Sequence, residues 1–125
     1  MIELSPEVSA FLTERHLATL TTLRPDGSPH VVAVGFTWES PRGMARIITF
    51  AGSVKARNAS AGGRAAVAQV DGRRWLSLEG PVRVSADPDE VAAAVAAYAV
   101  RYRQPKERAD RVVIEITVER VLGRA

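Results

Sequence analysis

The stretch Leu17-Ala18-Thr19-Leu20-Thr21-Thr22-Leu23-Arg24-Pro25-Asp26-Gly27-Ser28-Pro29-His30-Val31-Val32-Ala33-Val34 decides the architecture. Leu17 to Leu23 is rich in threonine and leucine and reads as a strand. Pro25-Asp26-Gly27 supplies a tight turn, because proline presets φ and glycine accepts a positive φ. The chain then returns as a second strand, His30 to Trp38, apolar on both faces for much of its length, the pattern of a central barrel strand. Two strands joined by so short a turn pair antiparallel.

Working outward, Ser40-Pro41-Arg42-Gly43 turns the chain and Ala45 to Phe50 forms a third strand. Ala51-Gly52-Ser53 breaks it and opens a short helix, Val54 to about Ser60, which Gly62-Gly63 ends. Arg64 to Val70 is a fourth strand, Asp71-Gly72 a hairpin turn, and Arg73 to Val84 a long fifth strand. Gly80-Pro81 inside that strand predicts a bulge or an edge. Asp87-Pro88-Asp89-Glu90 starts a helix whose buried stripe is Val91, Val95, Tyr98 and Tyr102. A polar loop, Gln104 to Asp110, leads into a last strand, Arg111 to Val121. Upstream, Ser5-Pro6-Glu7 caps a short helix with Val8, Phe11 and Leu12 on one face. The expectation is a mainly β domain spanning residues 1–125: a six-stranded antiparallel barrel, closed or half closed, with three short helices. Apolar strands leave barrel surface to cover, which points to a homodimer.

Composition removes several function classes. The 125 residues contain no cysteine, so disulfides and thiolate metal sites are excluded, and two histidines make a histidine metal site a poor fit. No apolar run approaches the roughly 20 residues of a membrane span, and Met1 to Pro6 lacks a signal-peptide pattern, so the expected setting is cytoplasmic. The net charge of +3 comes from basic residues, almost all arginine, scattered from Arg15 to Arg124. Scatter argues against nucleic acid, which favours a basic stripe, and fits a small anionic ligand.

Three constellations could carry chemistry. In Ile47-Ile48-Thr49-Phe50-Ala51-Gly52-Ser53-Val54-Lys55-Ala56-Arg57-Asn58, a strand runs through a glycine turn into a helix start. Lys55 and Arg57 in the first turn oppose the helix dipole unless an anion sits there, which suggests a phosphate site. An ordinary capped helix with solvated basic residues explains the same pattern. In Gln69-Val70-Asp71-Gly72-Arg73-Arg74-Trp75, the indole could stack on a planar ring while the arginines hold carboxylates, although a strand tryptophan is more often core or interface. Ser28 to Val34 could offer backbone groups to a heterocycle or be a plain core strand. Glu79, Glu115 and Glu119 lie on strands and suit charge pairing. No serine has a His-Asp arrangement beside it and no glycine-rich nucleotide motif is present. An enzyme built on this chain needs a cofactor to supply the reactive group.

The segments Leu17 to His30, Gly52-Ser53-Val54-Lys55-Ala56-Arg57-Asn58, Phe11 to Leu17, Val70 to Gly80 and Arg120 to Gly123 together resemble the pyridoxamine 5′-phosphate oxidase-like split β-barrels. Within them the chain is most similar to the coenzyme F420-dependent reductases of actinobacterial type. FMN-binding members carry Ser-Arg-Lys after the third strand; here Ser53-Val54-Lys55 lacks the arginine, which favours F420 over FMN. The resemblance implies hydride transfer from reduced deazaflavin to a conjugated acceptor, biliverdin or a related tetrapyrrole. It also implies that Ser53, Lys55 and Arg57, beside Asn58, hold the cofactor phosphate. His30, Val31, Val32 and Ala33, with Thr49, would line the ring, and Gln69 and Trp75 would approach from the second subunit of a dimer. Arg73, Arg74, Lys106 or Arg108 would meet the oligoglutamate tail. An FMN-binding oxidase-like protein and a non-catalytic F420 carrier stay open as alternatives.

Overall fold

A computed structural model describes residues 2–125. The order is α1 (Pro6–Phe11), β1 (Ala18–Leu23), β2 (Pro29–Val34), β3 (Thr37–Glu39), β4 (Met44–Phe50), α2 (Val54–Ser60), β5 (Arg64–Asp71), β6 (Arg74–Ser85), α3 (Pro88–Arg101), β7 (Arg111–Thr117) and β8 (Arg120–Arg124). Every pairing is antiparallel, in the order β2-β1-β5-β6-β7-β4-β3, with β8 also on β6. The fold is the expected split barrel with three helices, but it has eight strands rather than six.

Both additional strands come from breaks. The expected strand His30 to Trp38 divides at Gly35-Phe36. A Cβ at Gly35 would stand 3.0 Å from the rings of both Tyr98 and Tyr102. The Tyr102 hydroxyl accepts from the Phe36 amide at 3.1 Å and donates to the His16 carbonyl at 2.7 Å. The Phe36 amide therefore goes to a helix side chain, and strand pairing stops there. The expected strand Arg111 to Val121 divides at Val118-Glu119, whose amides donate to the carbonyls of Gly43 at 3.0 Å and Glu79 at 2.8 Å. Gly80 makes that crossing possible, since a Cβ there would collide with the Thr117 carbonyl oxygen.

The long strand β6 joins the two halves of the barrel. Its first part pairs with β5, ending at Arg64 opposite Pro81, and its second part pairs with β7, starting at Val82 opposite Ile116. Gly80-Pro81 thus marks the corner where the strand changes partner, and proline forgoes an amide there. Leu20, Val67, Leu76, Leu78, Ile114 and Ile116 fill the interior with Phe11 and Phe36. Each such side chain contributes about 1.5–3 kcal/mol when buried.

Two further expectations need correction. β2 is an edge strand, not a central one, and Val31 is 57% exposed. Its apolar outer face is therefore open rather than internal. On α3 the buried residues are Ala94 and Arg101, while Val91, Val95, Tyr98 and Tyr102 are half buried. Arg101 turns the helix end inward: its guanidinium donates to the carbonyls of Glu14 at 2.9 Å and Phe36 at 2.6 Å, and to Gln69 Oε1 at 2.8 Å. The strand glutamates do form charge pairs, Glu79 with Arg120, Glu119 with Arg64, and Glu115 with Arg83 at 2.5 Å.

Candidate functional site

The strand β4 ends at Phe50, and a turn through Gly52 delivers Ser53 to the start of α2. Ser53 is a buried N-cap: its hydroxyl accepts from the Ala56 amide at 3.2 Å and from Thr49 Oγ1 at 3.1 Å. Thr49 and Ser53 thus fix each other and the helix entry. Lys55 follows in the first turn, half buried, and burial pushes its ammonium below the usual lysine range. Among the described residues no carboxylate lies within ion-pair distance of it. A desolvated, unpaired amine at a helix start is a poor arrangement for a free protein and a good one for an anion.

Arg57 does not share that position. At 3.6 residues per turn it lies about 200° around the helix from Lys55. It is exposed and lines a groove of about 650 Å³ between α2 and the β1–β2 turn. Asn58 points inward, and its Nδ2 donates to Thr22 Oγ1 at 3.1 Å. Thr22 stands opposite His30 in the β1–β2 register, and His30 Nδ1 is buried without a hydrogen-bond partner. The four strand residues expected at the ring divide between two faces. His30 and Val32 lie on the inner face with Thr22 and Leu20, and Val31 and Ala33 lie on the outer face.

Trp75 is 41% exposed on that same outer side, paired with Val70 across β5 and with Arg124 across β8. Gln69 departs from expectation. It is 1% exposed, with Nε2 donating to the Phe11 carbonyl at 3.1 Å and Oε1 held by Arg101. Both ends of its amide are occupied inside the barrel, so it presents nothing to a neighbouring subunit. Strand parity carries this signal, since Gln69 pairs with core Leu76, one residue out of phase with Trp75.

The outlying arginines differ in availability. Arg74 is bound to both Glu14 oxygens, at 2.6 and 2.9 Å, and to Asp71, and it stacks over Phe11. Arg108 is paired with Asp110 and lies over the Phe50 ring at 4.4 Å. Neither is a free cation. Arg24, which reads as a mere turn residue in the sequence, lines the α2 groove together with Leu23 and Pro25.

A family model described as pyridoxamine 5′-phosphate oxidase matches residues 4–125. The F420H2-dependent biliverdin reductase of Mycobacterium tuberculosis (strain CDC 1551 / Oshkosh) is 58% identical over 122 residues, which cover 98% of this chain and 89% of that protein. Among solved structures, a conserved hypothetical protein of Mycobacterium tuberculosis superposes with a TM-score of 0.83 at 24% identity, covering 98% of this chain and 85% of the other. That likeness concerns the fold alone. A structure described as an F420 reductase matches with a TM-score of 0.75 at 26% identity, over 97% of this chain and 98% of its own.

Proposed function

The chain belongs to the pyridoxamine 5′-phosphate oxidase family, and from that premise we propose that it is a coenzyme F420-dependent reductase whose acceptor is biliverdin or a related conjugated tetrapyrrole. The observation that carries this reading is Lys55, a half-buried amine without a carboxylate partner beside the Ser53 cap, in a chain 58% identical to an F420H2-dependent biliverdin reductase. When bound, reduced F420 supplies a hydride and, unlike a flavin, reacts poorly with oxygen.

The residues present fit such a group. Lys55 would hold the phosphate, with Ser53 and Thr49 keeping the helix entry rigid around it. His30 Nδ1 is an unsatisfied buried nitrogen on the inner side of the strand expected to line the ring. Val31 and Ala33 offer a flat apolar surface on the outer side. In the proposed homodimer, Trp75 of a second copy would close the site. Its exposure together with that of Val31, Val70 and Leu122 supports this arrangement. Val54 replaces the arginine of the FMN-binding pattern and weighs against FMN. The cytoplasmic setting expected from the sequence is part of the same proposal; among the described residues no helix is long and apolar enough to cross a membrane.

Titrating the purified protein separately with F420 and with FMN, then adding biliverdin to protein loaded with reduced F420, tests the reading. Tight F420 binding, weak FMN binding and consumption of biliverdin are expected. Tight FMN binding without F420 binding would overturn the cofactor assignment. F420 binding with no turnover of biliverdin or other bilins would leave a carrier rather than a reductase.

A further inference from the structure

The groove between α2 and the β1–β2 turn is distinct in chemistry from the Lys55 side of the same helix. Its walls are apolar, formed by Leu23, Pro25, Val54 and Ala61, of which Leu23 and Val54 are among the large apolar side chains left exposed. Arg24 and Arg57 stand on its lining, one from each side. Its volume of about 650 Å³ falls within the range of small-molecule sites.

What marks the two guanidiniums is their place on one apolar groove without a carboxylate partner. Arg42, Arg64, Arg74, Arg83, Arg108 and Arg120 all lie within ion-pair distance of a carboxylate, whereas Arg24 and Arg57 do not. Arg24 is nevertheless held in place, because Nη1 donates to the Pro29 carbonyl at 2.5 Å. Its Nη2 and Nε have no protein acceptor among the described residues. The neighbouring acid, Asp26, turns its Oδ1 to the Ser28 amide at 2.9 Å and hydroxyl at 2.6 Å and makes no hydrogen bond to Arg24. An anchored fork with free N–H groups beside exposed hydrocarbon suits an apolar body that carries carboxylates.

We infer that this groove binds the carboxylate arms of the electron acceptor, with Arg24 and Arg57 as its anion-holding residues. The inference rests on the proposed reductase reading and sharpens it by naming the acceptor's subsite. It also moves Arg57 from the cofactor phosphate to the acceptor, which accounts for its separation from Lys55 around α2. Arg24 and Arg57 hold and orient the acceptor, and Lys55 remains on the cofactor.

The test uses the intact apo protein with two probes, biliverdin and its dimethyl ester, followed by the dichroism that a bilin gains on binding. The free acid should bind wild type about tenfold or more tightly than the ester, as expected for loss of charge-assisted pairs. Arg24→Gln and Arg57→Gln should each weaken the free acid by about tenfold and leave the ester unchanged. Arg24→Gln should leave F420 affinity at the wild-type value, and both variants should melt close to wild type because these side chains are exposed, lack carboxylate partners and lose at most the exposed bond from Arg24 to the Pro29 carbonyl. Equal affinity for acid and ester, no bilin binding, or indifference to both substitutions would overturn the groove. A protein that binds biliverdin through Arg24 but ignores F420 would refute the cofactor reading and leave the groove standing. Normal F420 binding with arginine-independent bilin binding would do the reverse.

Discussion

The outward face of the β3-β4-β7 sheet is covered by α3, while the outward face of the β2-β1-β5 sheet is open, and the residues on the two are the opposite of what a solitary chain would choose. Beneath the helix lie Thr37, Arg46, Glu115 and Ser85, all buried, with Glu115 1% exposed. On the open side stand Val31, Ala33, Val70, Trp75 and Leu122. Burying charge while exposing hydrocarbon is costly in one molecule, and contiguous exposed apolar surface usually meets a partner. The contrast assigns different tasks to the two faces. The covered face is closed within the chain by ion pairs of Glu115 and Glu90 with Arg83 and Arg42. The open face is the one that the proposed homodimer would cover.

Placing a charge on the open face should have the largest effect. Val31 pairs with Thr21 in the register and is exposed, so Val31→Asp should leave the protomer folded, with a change within about 0.5 kcal/mol. In an interface the same carboxylate would be buried unpaired, at a cost of about 3–5 kcal/mol. Sedimentation velocity should show a dimer for wild type and a monomer for the variant. A wild type that is monomeric at every concentration would leave the open face without a second copy to cover it, and the contrast between the faces would lose its meaning.

A smaller effect should follow on the covered face. Burial pushes the Glu115 carboxyl above its usual range; Glu90 adds to the rise, and Arg83 and Arg42 oppose it. The folded protein therefore holds this proton more tightly than the unfolded chain does. Its contribution to stability is largest at low pH and is lost as pH rises from the ordinary carboxylate range through the raised folded value. Glu115→Gln should remove that slope. At neutral pH the variant should lie within about 1 kcal/mol of wild type, since the desolvation of Glu115 is relieved and its partners Arg83 and Arg42 are exposed enough to return to water. Melting curves of both proteins between acid and neutral pH decide the matter, and an unchanged slope in the variant would contradict the assignment.

Local chemistry is the legible part of this fold. Asp26-Gly27 and Asp71-Gly72 make turns, and Ser5, Ser53 and Asp87 cap helices, because each depends on residues within a few positions. The breaks at Gly35 and Val118 are not legible: the first depends on Tyr98 and Tyr102 arriving from α3, and the second on carbonyls of Gly43 and Glu79. At the candidate site, the segment from Thr49 to Asn58 can be located from its turn and its charges. Whether a basic residue has a carboxylate partner is a property of the folded chain, and it sets Lys55, Arg57 and Arg24 apart from Arg74 and Arg108. Gln69 misleads because it neighbours Trp75 in the hairpin, although alternation along the strand puts the two on different faces.

If Lys55 holds the anion of the proposed cofactor and does little for the fold, cofactor affinity and stability should come apart when it is replaced. Lys55→Gln is titrated with F420 while the apo protein is melted beside wild type. Removing a charge-assisted contact worth roughly 1.5–3 kcal/mol should weaken F420 by about 10- to 150-fold. The apo melting temperature should stay or rise slightly, since a desolvated charge at a helix start has been relieved. Wild-type F420 affinity in the variant, or a loss of affinity that only follows a fall in melting temperature, would contradict the account.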